Sequence, residues 1–435
     1  MSAAPARIDP REEARAKPEP RGWCPGALRP MESGDGLIVR LRPRCGAFTL
    51  AALRVIAGLA RRFGNGQIDL TRRANLQLRG LREEDLPALW EALAAADLLD
   101  DSAEAESVRN VMVGALGGVD PSEILDPRPI ARALEARLIG DPQLWQLPGK
   151  FGFSVDGGGA FSIAHERADI RLCAIVQDGS PLIAIGLDRR DGVDWAGVTA
   201  PEEAADMAAE TARLYLEMLG GAQGRLRERP AADYSRLRDA LARRLPALQN
   251  APDIVAPSRA LGCLSDGGDA FAFAMAAPFG RIEAEALQRF TDAAEKLAVP
   301  EIRLSPWRTL YIPLPDPAAA DALAGIAAET GCILDANDPL LAIDACTGAP
   351  GCRQGYIDTR QIARDLAPHL QRLGIGSCHV SGCAKGCARS APAELVVVGT
   401  DDGCGLNRYA TADAPPRAVV PRSGLSRLPQ LLETL

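Results

Sequence analysis

One passage of this chain occurs twice at a fixed offset. Residues 46–63, GAFTLAALRVIAGLARRF, return as residues 280–297, GRIEAEALQRFTDAAEKL. The following text, IDLTRRANLQLRGL at 68–81, returns as IRLSPWRTLYIPLP at 302–315. Gly46 pairs with Gly280, Leu53 with Leu287, Ala60 with Ala294 and Ile68 with Ile302, each 234 residues apart (280 − 46 = 234). A constant offset over a span this long signals an internal duplication. In the first copy, LIVRLRP (37–43) reads as a strand, and 46–63 carries apolar residues at helical spacing, closed by Gly64, Asn65 and Gly66. Residues 68–81 read as a strand pair or one long bent strand, and 83–97 as a helix. Each copy is therefore expected to be a small α+β sandwich. A fainter correspondence follows at an offset near 232. Ile130 and Leu134 fall on Ile362 and Leu366, Gly114 falls on Cys346, and the region of Lys150 falls near Cys383. These pairings predict two halves facing each other across a pseudo-twofold axis, with basic residues in one half where the other has cysteines. The active site is then expected between the halves.

The cysteines carry the second constraint. Cys346 and Cys352 flank five residues, Cys383 and Cys387 flank three, and thirty residues separate the pairs (383 − 352 − 1 = 30). Four thiolates in two close pairs suit a metal or an iron–sulfur cluster. The small residues Gly348, Gly351, Ala384 and Gly386 let backbone fold around a bulky group and aim N–H donors at its sulfurs. A structural zinc site favours tighter pairs, and disulfides need an oxidising compartment. A [4Fe–4S] cluster fits the spacing best.

Composition narrows the function class. The 435 residues are 47% hydrophobic, enough for a large core and more than one domain, and the net charge of −8 gives no general nucleic-acid footprint. An anionic ligand would need a local basic pocket. No window approaches ~18 unbroken apolar residues, and the polar first 22 residues read as a disordered tail, not a secretory signal. A cytoplasmic location is expected. Cys24, Cys45, Cys173, Cys263, Cys332, Cys378 and Cys404 show no pairing pattern and read mostly as buried thiols. Gly157–Gly159 read as a turn, and no dinucleotide or Walker motif precedes a helix.

With these residues in view, the chain resembles the nitrite/sulfite reductase superfamily from about residue 22 to about residue 405. The cysteine spacing is similar to that superfamily's cluster motif. RGWCPGALRPMESGDGLIVRLRP (21–43) is similar to its opening, and LTRRANLQLRG (70–80) resembles L-T-T-R-Q-x-x-Q-x-x-G. RNV (109–111) matches a second basic motif, and LPGKFGF (147–153) resembles L-P-R-K-F-K. The resemblance implies an internally duplicated α+β fold: two ferredoxin-like half-domains plus two α/β domains related by a pseudo-twofold. The expected order is a tail (1–22), a first half-domain (23–100), a basic α/β domain (101–245), a linker (246–260), a second half-domain (261–325) and a cluster-bearing α/β domain (326–435). It also implies that Cys346, Cys352, Cys383 and Cys387 hold a [4Fe–4S] cluster. Arg73, Arg109 and Lys150 would bind the carboxylates of a tetrapyrrole. Their chemistry suits that task, since Arg grips a carboxylate through two parallel hydrogen bonds and Lys supplies a point charge.

Two departures bear on the activity. Gly152 stands where the reductases have a second lysine, and Ala74 replaces the glutamine of T-R-Q. Keeping the grip on the tetrapyrrole rim while losing the grip on a small oxyanion suggests that the tetrapyrrole is substrate. The resemblance then implies an oxygen-dependent monooxygenase of cobalamin biosynthesis. It would hydroxylate precorrin-3A at C20 and close a γ-lactone from the ring A acetate onto C1, giving precorrin-3B. The cluster would deliver electrons from an external donor, NADH through a reductase or a ferredoxin. A mononuclear non-haem iron could activate dioxygen. No nucleic acid or membrane partner is expected. The alternatives are a siroheme-dependent sulfite or nitrite reductase and a non-catalytic iron–sulfur electron carrier.

Among the three histidines, His165 with Glu166 or Asp169 could contribute to a two-His, one-carboxylate iron site. His379 is expected near the cluster and His369 on a helix surface. Trp307 and Arg308 occupy the repeat positions of Arg73 and Ala74, with Trp307 expected in the core. Arg73 and Arg79 are expected on one face of a strand and Arg72 on the other.

Overall fold

The computed structural model describes residues 24–220, 224–254 and 260–432. The N-terminal tail and part of the 246–260 linker lie outside the described residues. Two compact units result: one holds Asp335–Leu435 with Glu32–Gly36, the other Leu37–Leu334 with the segment ending at Met31.

In the larger unit, the first repeat opens with β1 (Gly36–Leu41), β2 (Ala47–Thr49), α1 (Leu50–Phe63), β3 (Gln67–Leu70), β4 (Leu76–Leu81) and α2 (Leu86–Ala95). The text at 68–81 is thus a strand pair. Thr49 caps α1 by accepting from Ala52 N, and the Gly64 N–H closes the far end on Ala60 O. The α/β domain follows: α3 (Ala103–Val108), β5 (Val111–Val113), α4 (Arg128–Gly140), β6 (Phe153–Asp156), β7 (Ile170–Gln177), β8 (Ser180–Arg189), β9 (Gly192–Thr199), α5 (Ala204–Leu219) and α6 (Ala231–Ala242). The second repeat runs β10 (Gly262–Asp266), β11 (Asp269–Ala276), β12 (Arg281–Glu283), α7 (Ala284–Lys296), β13 (Glu301–Leu304), β14 (Thr309–Pro313) and α8 (Ala319–Glu329).

The two repeats exchange strands. β12, just before α7, pairs with β3 of the first copy, placing Ile282 opposite Ile68. β2, just before α1, pairs with β13 of the second copy, placing Phe48 opposite Ile302. Each pairing maps onto the other when 234 is added to its first-copy member and subtracted from its second-copy member (68 + 234 = 302, 282 − 234 = 48), the relation a twofold axis imposes. The sheets are β1-β4-β3-β12, extended beyond β1 by the short strand Met31–Ser33, and β10-β11-β14-β13-β2. Arg40 lies opposite Gln77 and Ala274 opposite Tyr311, again 234 apart. Backbone strain repeats as well. Cys45 and Phe279, and Ala74 and Arg308, are non-glycine residues with left-handed φ at equivalent positions.

Between the sheets and α1/α7 lies one shared apolar core. Leu53, Ile56, Ile68, Leu78, Leu287, Phe290, Ile302 and Ile312 are all at most 3% exposed. Along β1 the period-two pattern sends Val39 and Leu41 inward and leaves Arg40 and Arg42 on the other face.

The smaller unit contains β15 (Ile343–Ala345), α9 (Thr359–Arg372), β16 (Cys378–Ser381), β17 (Ala393–Thr400), β18 (Gly403–Ala410), β19 (Ala418–Pro421) and α10 (Leu428–Leu432). Its sheet, β15-β16-β17-β18-β19, has parallel, parallel, antiparallel and antiparallel neighbours. The sheet β5-β6-β7-β8-β9 of the larger unit repeats this sequence of pairings. The duplication therefore extends to the α/β domains. The offset is 232 at β5/β15 (343 − 111) and 225 at β6/β16 (378 − 153). Seven extra residues between α4 and β6 account for the change. Lys150 lies in that longer loop. It is not the counterpart of Cys383, which matches Gly158 (383 − 225 = 158).

Candidate functional site

In the smaller unit, the four cysteines sit on two loops at one end of the parallel strands. Cys346 directly follows β15, and Cys383 and Cys387 follow β16. Thr359, the first residue of α9, ties the first loop down by donating from Oγ1 to Cys346 O at 2.7 Å. Gly382 N donates to Cys346 Sγ at 3.2 Å, an amide aimed at a ligand sulfur. The loops meet through glycine. A Cβ on Gly382 would come within 3.2 Å of the Cα atoms of Gly348 and Gly355, and one on Gly348 within 2.5 Å of Thr359 Oγ1. Gly348 also has φ of 62°, which glycine tolerates and L side chains resist.

Cys383 and Cys387 feel the charge of their neighbouring cysteines. Burial first, then Cys346 and Cys352, push the Cys383 thiol up against the opposing pull of the Lys385 N–H and ammonium. Burial, with Cys346, Cys383 and Cys352, pushes Cys387 up to about 11, again against Lys385. Among the described residues, no three His, Cys, Asp or Glu side chains converge as a single-ion site. A cluster instead spreads its thiolates over several iron atoms, which suits four neighbouring thiols in a glycine cradle. His379 is fully buried on β16, with its ring near Gly386. His369 lies half-buried on α9, its ring beside Arg372.

The first-copy loops carry different chemistry at these places. Gly114, Asp120, Gly158 and Ser162 stand where the second copy has its four cysteines, by the offsets of 232 and 225. They are closed by carboxylates. Asp120 accepts from Ser122 Oγ at 2.6 Å, and Asp156 accepts from Ser162 Oγ at 2.7 Å and Ile163 N at 3.2 Å. Glu123 accepts from Gly118 N at 2.7 Å. Burial, with neighbouring Asp120, Asp126 and Asp156, pushes the Glu123 carboxyl up to about 8. Nothing in the sequence pattern singled out Glu123.

The larger unit separates the three sequence-predicted cations. Arg73 is half-buried in the turn after β3. Its Nη1 donates to Arg167 O at 2.7 Å. Burial, then the charge of Arg225, pulls its pKa down against Asp169. Lys150 is exposed on the loop before β6. Arg109 is 4% exposed and turned into the protein. It grips Asp100 with two bonds of 3.1 and 2.8 Å and donates to the carbonyls of Pro43 and Arg42. That fork braces the end of β1, which carries Arg40 and Arg42. Burial pulls both of these down, Arg42 to about 10. With its amide oxygen turned toward β1, Gln77 accepts from Arg40 at 2.9 and 3.2 Å. The alternation L-I-V-R-L-R was the signal that could have marked Arg40 and Arg42. Arg79 points to Asp69 at 3.1 Å, away from a ligand role, and Arg281 completes that cluster at 2.6 Å.

Gly152 is enclosed. A Cβ there would sit 2.7 Å from Asn110 Nδ2, and its N–H donates to Asp169 at 3.0 Å. Asp169 also accepts from Arg225 and Leu226 N, so this carboxylate is fully engaged. Of the two carboxylates expected beside His165, Glu166 lies 3.3 Å from its Nε2, whereas Asp169 is taken up by Arg225 and Leu226 N. Trp307, expected in the core, is half-buried and stacks on His165. Of the seven remaining cysteines, Cys45, Cys173, Cys378 and Cys404 are buried, whereas Cys263 is exposed.

Comparison with known proteins agrees with this architecture. The "Nitrite/Sulfite reductase ferredoxin-like half domain" matches residues 29–96 and 265–330, and the "Nitrite and sulphite reductase 4Fe-4S domain" matches residues 104–243. The latter falls on the copy that lacks the four cysteines. A precorrin-3B synthase from Sinorhizobium sp. is 33% identical over 407 residues, 93% of this chain and 86% of that protein. A sulfite reductase [ferredoxin] 2 from Mycolicibacterium paratuberculosis is 26% identical over 84% of this chain and 71% of its own length. The structure of Mycobacterium tuberculosis NirA protein superposes with a TM-score of 0.71 at 22% identity, covering 92% of this chain and 80% of that one. No helix among the described residues is long and apolar enough to cross a membrane. From the paired half-domains, the twin α/β domains and the likeness along almost its whole length, the chain belongs to the nitrite/sulfite reductase superfamily.

Proposed function

We propose that this chain is an iron–sulfur oxidoreductase that converts precorrin-3A to precorrin-3B, with hydroxylation at C20 and γ-lactone closure. The full-length likeness to a precorrin-3B synthase supports this reading. The structural observation that carries it is Gly152. A reductase needs a second cation there to hold sulfite or nitrite, and Gly152 supplies none; a side chain in its place would have to displace the Asn110 amide, 2.7 Å from where its Cβ would stand. Arg73 and Lys150 would take substrate carboxylates, joined by Arg40 and Arg42. Arg109, saturated by Asp100, would act by bracing them.

Cys346, Cys352, Cys383 and Cys387 would hold a [4Fe–4S] cluster, which supplies single electrons when bound. An external donor, NADH through a reductase or a ferredoxin, would reduce it. The described residues offer no three-ligand site for a mononuclear iron, so no step is assigned to one.

The test is spectroscopic and chemical. Protein purified without oxygen should show cluster absorption, release no siroheme on extraction, and convert precorrin-3A when given oxygen and reductant. Stoichiometric siroheme with sulfite or nitrite turnover would replace this reading with the reductase one. Cluster absorption with neither activity would leave an electron carrier.

A further inference from the structure

The smaller unit holds one piece from the other end of the chain, the turn Glu32–Gly36 that joins the short strand Met31–Ser33 to β1. This turn lies against the cysteine loop after β15. A Cβ on Gly34 would stand 2.6 Å from Arg353 N, 2.7 Å from Cys352 Cα and 2.9 Å from Cys352 Sγ. A real Cβ does not come this close to its neighbours. Two of these three are backbone atoms, which cannot swing aside as a side-chain tip would. Gly36 has a left-handed φ of 121°, but Gly34 is not among the glycines with positive φ. Other residues could therefore adopt the backbone conformation of position 34. The close approach to Cys352 is what asks for glycine there.

The internal duplication supplies a control. Adding 234 places Gly34 on Gly268 (34 + 234 = 268), in the turn between β10 and β11. A Cβ on Gly268, or on neighbouring Gly267, would meet nothing within 4 Å. The duplication thus builds this hairpin in both copies, and the turn that meets a cluster cysteine is the one packed down. Two of the other sulfurs are served from within the cluster loops. Cys346 Sγ accepts from Gly382 N at 3.2 Å, and Cys383 feels the Lys385 N–H. Cys352 is met from outside those loops, by Gly34.

We propose that Gly34 seals the Cys352 corner of the [4Fe–4S] cluster from water and so helps to set its reduction potential, as a positioning residue that acts through the ligand. The inference rests on the cluster assignment above and not on the tetrapyrrole reading. Reduction adds one negative charge to a cluster already ringed by thiolates. Water beside a ligand sulfur stabilises that added charge, whereas apolar backbone packed there does not. A side chain at position 34 would lift the turn, admit water at Cys352 and raise the potential.

Gly34→Ala is the direct test, read in full-length protein that carries its cluster. Its potential, from a redox titration followed by EPR, should lie above that of wild type. A chelator of ferrous iron should strip its cluster several-fold faster, while the far-ultraviolet signal of the sheets stays. An unchanged potential and stripping rate overturns the seal. Hydrogen exchange in wild type tests it without a substitution. Amides of residues 33–36 should exchange more slowly in cluster-loaded than in cluster-free protein, and those of 266–269 should exchange alike in both. Equal exchange at 33–36 in the two states overturns the seal, even where Gly34→Ala fails to fold. Cys352→Ser separates this inference from the assignment beneath it. If that variant keeps the cluster's full absorption, Cys352 is no ligand and the seal falls with it. If the absorption is lost but Gly34→Ala behaves as wild type, the ligand stands and the seal alone fails.

Discussion

Arg109 and Arg73 are both arginines within basic motifs, and the fold puts them to different uses. Arg109 spends its fork on a buried carboxylate, whereas Arg73 keeps a half-buried head beside the histidine loop. Arg109→Ala should therefore cost about 3–5 kcal/mol in a denaturant melt, because it leaves the buried Asp100 carboxylate with only the half-exposed Arg44 as an ion-pair partner. Ligand affinity should suffer less than in Arg73→Ala, where stability changes little. The reverse pattern would reassign the two residues. Sequence spacing located both arginines but could not tell them apart, because the deciding partner, Asp100, lies outside the motif. The Glu123 carboxyl gives a pH test. Its folded value of about 8 lies above the ordinary 4.5, so its contribution to stability is present below pH 4.5 and lost as pH rises toward 8. Glu123→Gln should raise the melting temperature at about pH 9 and leave it unchanged at about pH 4. An equal effect at both pH values would show that the carboxyl is not buried as described.

At the level of elements, α1 and α7 show why helical periodicity was readable. Each turns one apolar stripe to the same core, with Leu53 and Leu287 at equivalent places. Truncating either to Ala should cost about 2–5 kcal/mol. The double mutant should depart from the sum, because both side chains line one apolar gap. Strict additivity in chemical melts would mean that the two sites relax independently. The α/β domains were harder to read. Their correspondence was visible at β5/β15 and in the helices, then disappeared where the α4–β6 loop grew by seven residues. Loops drift in length while strand pairing persists, so the alignment placed Lys150 opposite Cys383 although the strands place Gly158 there. The cluster loops are clearer. Cys383→Ser should abolish the cluster's visible absorption while the far-ultraviolet signal of the sheet stays. Retention of the full absorption would remove Cys383 from the ligand set.

The larger unit is bound together by an exchange of two short strands. Alternation predicted strands, but no local pattern reveals that β2 and β12 each complete the other copy's sheet. That information lies in pairings between residues more than two hundred positions apart. A chain ending near residue 254 keeps β3 but lacks β12, so one sheet edge and half of the shared core are exposed. Such a fragment should aggregate, as light scattering would report. A monodisperse fragment with a cooperative melt would show that the exchange is dispensable. The same arrangement sets an order of events during synthesis. Ile68 leaves the ribosome 214 residues before Ile282 (282 − 68 = 214), roughly 10–40 seconds at ordinary elongation rates. In that interval the intervening α/β domain, whose strands pair only among themselves, can assemble its sheet, although Ala115 and Leu116 still await their packing partners from the second repeat. The first half-domain must wait with an open edge until its twin emerges.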